Sequence, residues 1–456
     1  MIRNTFALLF TLLISLQLIA DETVIQGSIK GFDSKTIKVG VYSDYITNEK
    51  EWLNEQVIIN GNFKLSINLD EIKQVILRIE DKETSLFAEV GQVYNVSLTF
   101  DEEANRGQAF NKFLNLSFPF PKATELNQQI KSFNKAYQDF FEQNYAKMMY
   151  KGANKETEAF LTSWRKKAES KELAFLKNYI IYALANLEDI RGGSNVTLEN
   201  TFVKGQPILY HHKEYMNFFA QFYQEDFDQL TIKSGSQKMM KALMFEESLD
   251  RTLEELNILK NFESVELTEL YLLYGLFEVN HKKVINQESS QKILQEITKK
   301  GQNQENKEIA GNILKALERY GKSMEAVNFT LLDVNGKEHS LTDYKGKQVY
   351  LSFWSNTSIP SLRELKVMQK LHSGYGNKVH FVSINLDDDP SINKSVAQAN
   401  KYTWDFLHFG GDYELREAYQ ITTVPTYFLI NEQGGISKAF AEGPIEMERT
   451  FFNTLK

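Results

Sequence analysis

The chain has 456 residues, 42% of them hydrophobic and 25% charged, with a formal net charge of −8 and no cysteine. The composition is globular and the length suits roughly three domains of ~150 residues, which excludes a single-domain reading. The acidic balance, with no basic block beside it, excludes nucleic acid as a routine partner and anchoring on anionic lipid, and the missing cysteine excludes disulfides and lipid attachment through sulfur.

The first twenty residues, MIRNTFALLFTLLISLQLIA, carry a cation at Arg3, an apolar run from Phe6 to Leu16 and a small residue, Ala20, before Asp21-Glu22. This is the pattern of a secretory signal peptide (1–20) cleaved after Ala20. The alternative, an uncleaved anchor, is disfavoured because the run is short of the ~20 residues of a membrane span. The expected location is periplasmic or secreted, not as a lipoprotein, with no integral membrane segment after cleavage.

Residues 21–107 read as an antiparallel β-sandwich. Ile37, Val39 and Val41 alternate with polar neighbours, as do Phe63, Leu65, Ile67 and Leu69, and Asn60-Gly61 is a hairpin turn signal. Apolar periodicity stops in the polar stretch Glu102 to Gln108. Residues 108–321 read as all-α from about Pro121. Leu126, Ile130, Phe133, Tyr137, Phe140, Tyr145 and Met148 keep helical spacing, and Phe175 to Leu187 and Gln237 to Leu259 behave similarly. Pro207 is the only proline between Pro121 and Pro360, which suits long helices. The aromatic residues at these spacings are expected to be core rather than a ligand cleft. Residues 322–456, after the Gly321-Lys322 break, read as α/β. Strands are expected at Phe329 to Asp333, Val349 to Phe353, Val379 to Asn385 and Thr426 to Ile430, with a helix from Ser361 to His372 and a turn at Gly434-Gly435, giving a partly parallel sheet.

Phe353 to Glu364 reads FWSNTSIPSLRE, followed by VSINLDDD (Val382 to Asp389) and TTVPTYFLINEQGG (Thr422 to Gly435). With the Asp333 to Lys337 turn and Lys345-Gly346-Lys347, these segments resemble the TlpA/ResA-type periplasmic thioredoxin family from about Glu325 to Lys456. The layout of sandwich, helical region and thioredoxin-like domain also resembles multidomain members of that group. The resemblance implies a thioredoxin fold with two redox cysteines, the first activated by a helix N-terminus and the second resolving the mixed disulfide. It also implies an assisting glutamate and a cis-proline loop that binds substrate backbone. The corresponding positions here are Ser358, Ser361, Glu364 and Pro425. Thr357 stands where the family has an aromatic residue, and Lys366 where it has a proline. Thiol–disulfide exchange requires a thiolate, and serine supplies none.

Ser358 could act as a nucleophile only with an adjacent base, and nothing in the spacing of His339, His372, His380 and His408 provides one. The bland reading is that Ser358 caps the helix and that Ser361 with Glu364 forms a capping box. His211-His212 is expected to be a solvated surface pair rather than a metal site, and Asp387-Asp388-Asp389 a charged loop at a strand end rather than a cation site. Trp354 is expected in the core.

The leading reading is a multidomain, non-redox protein whose degenerate positions Ser358, Ser361 and Glu364 are not catalytic. Its binding surface would be Thr357, Ser358, Ile359, Pro360, Val424, Pro425 and Thr426, and its partner an extended peptide or envelope protein paired as an added strand. No cofactor and no metal are expected. Two alternatives stand beside it: a thiol–disulfide oxidoreductase or peroxidase of the family's usual class, which the zero cysteine count opposes, and envelope or polymer recognition by the N-terminal and helical domains.

Overall fold

A computed structural model describes residues 22–105, 112–149, 154–282, 285–319 and 326–455. The expected export segment lies outside them, as do part of the Glu102 to Gln108 stretch and the Gly321-Lys322 break. Among the described residues no helix is long and apolar enough to cross a membrane.

The N-terminal strands are β1 (Thr23–Ile29), β2 (Thr36–Tyr42), β3 (Lys50–Val57), β4 (Asn62–Ile67), β5 (Lys73–Ile79), β6 (Lys82–Ala88), β7 (Val93–Thr99), β8 (Lys112–Phe113) and β9 (Asn115–Ser117). They form two sheets, ordered β4-β1-β7-β9 and β3-β2-β5-β6-β8. Period-2 alternation puts Ile25, Phe63, Leu65 and Val96 of one sheet against Ile37, Val39, Val75 and Leu77 of the other in a single apolar core. β1 and β7 run parallel, and Gly27 permits it: a Cβ there would lie 2.0 Å from the Val96 carbonyl oxygen. Asn60 and Gly61 are both left-handed, and Ile59 and Asn62 exchange backbone bonds across them. That turn does not close a paired hairpin, because β3 and β4 lie in different sheets; it carries the chain from one layer to the other. β8 and β9, past residue 107, add edges to both layers.

The middle of the chain is helical from Leu126 to Arg319, around cores rich in Phe and Tyr, including the fully buried Phe218, Phe219, Tyr223 and Phe262. Phe227 lies against Gly275 of the helix Val265–Lys282, where a Cβ would approach the ring to 2.2 Å. The helical periodicity of Gln237 to Leu259 is interrupted. A helix Gln237–Lys241 passes into a π-helical turn, Ala242–Glu246, and Glu247 turns left-handed before Ser248 caps the helix Leu249–Lys260.

The expectation of a solvated histidine pair fails at His212, which is buried. Its Nδ1 accepts from the Tyr215 backbone as N-cap of the helix Lys213–Phe222, and its Nε2 meets the Phe175 carbonyl at 3.1 Å. The ring packs 4.5 Å from Phe175, so capping and aromatic contact together hold it inside. His211 stays half-buried, 3.8 Å from Glu71.

The C-terminal strands are β10 (Thr330–Asp333), β11 (Glu338–Ser340), β12 (Gln348–Trp354), β13 (Val379–Asn385), β14 (Asp405–His408), β15 (Thr426–Ile430) and β16 (Ile436–Ala441), in the order β11-β10-β14-β13-β12-β15-β16. β12 is central, parallel to β13 and antiparallel to β15. Its run VYLSFW is apolar on both faces because both are covered. Val349, Leu351 and Phe353 enter one core, and Tyr350 and Trp354 the other, under the helix Ile359–Tyr375.

Polar contacts lock the three regions together. Asn312 Nδ2 donates to Asp44 Oδ2 at 2.9 Å, and the Asn127 side chain bonds both backbone groups of Phe87. Between sandwich and C-terminal sheet, buried Asp81 lies 2.8 Å from Lys82, 3.4 Å from Lys112 and 3.8 Å from Arg416. Lys112 also reaches Asp388 at 2.7 Å, and Arg78 pairs with Glu417.

Candidate functional site

β12 ends at Trp354, and four residues later the chain starts a helix whose N-cap is Ser358, with Pro360 in its first turn. The connecting segment is fixed from beneath. Buried Asp387, at the end of β13, accepts from Ser355 Oγ at 2.6 Å, from the Asn356 backbone at 2.9 Å and from Asn385 Nδ2 at 2.7 Å. Ser355 Oγ lies 2.8 Å from Thr357 Oγ1. The charged loop at the strand end is thus also a brace for the serine segment.

Across from this turn runs the loop before β15, where the Val424–Pro425 peptide is cis. Ser358 Oγ accepts from the Ser361 N–H at 3.3 Å and donates to the Val424 carbonyl at 3.1 Å. Thr426 Oγ1 turns back to the Thr423 carbonyl at 2.7 Å. Ile359 is 64% exposed beside the turn. The structure therefore brings the helix start at Ser358, with Thr357, Ile359 and Pro360 exposed beside it, against Val424 of the facing loop, and Thr426 is buried.

The expected capping box at Ser361 and Glu364 is absent. Ser358 already holds the N-cap, which places Ser361 inside the first turn; its Oγ is buried and has no hydrogen-bond partner among the described residues. Glu364 instead accepts from Tyr427 Oη. Burial, and then the Glu364 carboxylate, push the Tyr427 phenol far above its ordinary range, so it remains a donor. Tyr350 stacks on Tyr427 with ring centroids 5.2 Å apart. Trp354 lies in the core as expected, 1% exposed.

A family model described as Redoxin matches residues 320–455. Thiol-disulfide oxidoreductase ResA of Geobacillus thermodenitrificans is 35% identical over 115 residues, 25% of this chain and 65% of the relative. The ResA of Halalkalibacterium halodurans is 32% identical over 146 residues, 31% of this chain and 80% of its own.

The chain belongs to the ResA-type redoxin family.

The likeness covers the C-terminal domain, and the chain spans 65% of the length of the Geobacillus relative. Among solved structures, a thiol:disulfide interchange protein from Bacteroides sp. shares 21% identity at a TM-score of 0.28, covering 30% of this chain and 92% of that one. The redoxin domain here keeps the helix turn and the facing loop but holds hydroxyls at both positions where the resemblance places cysteines. Serine oxygens make no mixed disulfide, so the geometry supports capping and hydrogen bonding, not exchange.

Sequence reasoning missed Tyr427, Ser355 and the bracing role of Asp387. Tyr427 carried a weak signal, as the one phenol in the buried strand TYFLI. Ser355 carried none. A second feature also went unread: a cleft of about 1230 Å³ between sandwich and redoxin domain, lined by half-buried Phe32, Phe100 and Tyr413 with Lys82 beneath the rings. Among the described residues no acidic or histidine cluster could hold a metal ion.

Proposed function

We propose that this chain is an exported, periplasmic, non-redox redoxin that binds an extended peptide segment of another envelope protein at the Ser358 turn and the facing Val424–Pro425 loop. Export is supported by the signal-like pattern of residues 1–20. The observation that carries the binding reading is the braced turn itself. With no cysteine in the chain, Ser355, Asp387 and Ser358 still hold the helix start against the Val424–Pro425 loop, beside exposed Ile359. Pairing a strand along backbone groups needs no sulfur.

The test is fluorescence anisotropy of labelled, unstructured heptapeptides with randomised sequence, titrated with the whole chain. Ile359→Asp is the comparison, since the exposed first turn tolerates an acid. Binding that the variant weakens at least about tenfold supports the reading; binding that Ile359→Asp leaves unchanged overturns it.

A second reading is favoured by the Phe32, Phe100 and Tyr413 cleft, which suits recognition of an envelope polymer by the N-terminal region. Co-sedimentation with an envelope fraction that is lost in Phe100→Ala with Tyr413→Ala, and kept in Ile359→Asp, would favour it over the first.

A further inference from the structure

The cleft between sandwich and redoxin domain, about 1230 Å³, exceeds the ~300–1,000 Å³ of a site for one small molecule, so its size suits several units of a longer ligand. Phe32 and Phe100 of the sandwich meet edge to face at 6.3 Å, and Tyr413 joins them from the other domain. Lys82 Nζ lies 5.8, 5.2 and 6.0 Å from the three ring centroids. That ammonium is buried and already paired with Asp81 at 2.8 Å, so it orders the rings and is not free for a ligand.

Most other charges in the wall are occupied as well. Glu80 pairs with Lys35 and Asp388 with Lys112, Asp412 accepts from the Leu415 N–H, and Asp333 accepts from the Lys337 N–H of its own turn. Lys30, Lys394 and Glu102 line the cleft without a partner among the described residues, two cations and one anion, which is no run of charge for a polyanion or a polycation. Each strand that lines the cleft, β6, β10 and β14, has a neighbour on both sides, so a peptide finds no edge to pair with. One group lacks a donor. Asn393 lines the cleft and is 1% exposed; its Nδ2 donates to the Phe406 carbonyl at 3.3 Å, while its Oδ1 is buried with no partner among the described residues. A hydroxyl satisfies that oxygen, directly or through one bound water, and a carboxylate or phosphate does not.

Resting on the reading of this cleft as a polymer site, we propose that it binds an uncharged oligosaccharide of several pyranose units. The C–H face of a pyranose is apolar and lies flat on an aromatic ring, which removes apolar area of both from water. Its hydroxyls radiate from the ring edge, where both donors and acceptors are needed. Lys30 and Lys394 supply donors, and Glu102 and Asn393 supply acceptors. Orientation then comes from hydrogen bonds and affinity from the rings.

The test titrates the whole chain, by calorimetry, with uncharged maltohexaose, cellohexaose, mannohexaose and chitohexaose and with acidic hexagalacturonate. At least one uncharged member should bind, about tenfold tighter than hexagalacturonate. Tyr413→Leu, which stays apolar but loses the ring face, should weaken that binding about fivefold. Lys394→Ala, at an exposed position, should weaken it about threefold and keeps the test sound if the ring variant does not fold. Binding by no uncharged member, tighter binding of hexagalacturonate, or an affinity that Lys394→Ala and a folded Tyr413→Leu both leave unchanged overturns the inference. If co-sedimentation with the envelope fraction still depends on Phe100 and Tyr413 in that event, the polymer reading stands and only the carbohydrate class falls. Co-sedimentation indifferent to those rings defeats the polymer reading itself.

Discussion

Ser358 does two jobs with one oxygen, accepting from the first turn of its helix and donating to Val424 of the facing loop. The first job was legible in the sequence, because a serine before Ile-Pro is a strong helix-start signal. The second was not, because it depends on where a loop 66 residues away is brought. Ser361 and Glu364 also match a capping-box spacing. Two overlapping Ser-x-x-x patterns compete for one helix start, and the earlier, at Ser358, takes it. Glu364 is then free for Tyr427. Tyr427→Phe should cost about 1–2 kcal/mol, read by urea unfolding, because a half-buried carboxylate loses its hydroxyl donor. No loss would mean the carboxylate is satisfied by water.

At the scale of elements, the helix start tests whether family geometry persists. The Ser358 side chain lies against the backbone of Ser361, so Ser358→Cys with Ser361→Cys should form an intramolecular disulfide under mild oxidation. In the reduced double variant, the thiol that replaces the Ser358 hydroxyl should titrate below ~8.5, the value of free cysteine, because the helix N-terminus favours its thiolate. Thiol counting and the pH profile of alkylation check both; thiols that stay free contradict the geometry. The helical region was legible as a class but not at its breaks. The apolar period of Gln237 to Leu259 continues across Glu247, where the backbone turns left-handed. His212 shows the same limit, since two adjacent histidines look like surface until Phe175 and Tyr182 close over one of them. Burial lowers the His212 pKa below its ordinary 6.5 despite the opposing Phe175 carbonyl. A depressed histidine pKa favours folding above the unfolded value and loses that contribution as pH falls below 6.5. Relative to His212→Asn, which caps without titrating, the native chain should lose stability below pH 6.5 with a slope of up to about 1.4 kcal/mol per pH unit. Parallel pH curves would show the ring to be solvated.

At the scale of the whole molecule, the sheet domain was legible because its apolar strands and turns occur in family order, whereas its docking onto the sandwich had no local signal. Asp81 is 3% exposed, placed between Lys82, Lys112 and Arg416. Burial alone would raise its pKa; the bond to Lys82 and the charges of Lys112 and Arg416 lower it instead. Asp81→Asn leaves those cations without their shared carboxylate and should weaken docking by about 3 kcal/mol, visible as a larger radius of gyration in solution scattering. An unchanged radius would place the clamp elsewhere, in the Arg78–Glu417 and Lys112–Asp388 pairs.

The redoxin domain, on the proposed reading, binds peptide at its Val424–Pro425 loop while lacking the means of thiol exchange. Hydrogen–deuterium exchange across the whole chain, with and without a saturating mixture of randomised heptapeptides, tests this most directly. Slowed exchange is expected in the 422–426 segment, including the Val424 amide, with little change around Phe32, Phe100 and Tyr413. Protection confined to the cleft, or none at 422–426, would contradict it.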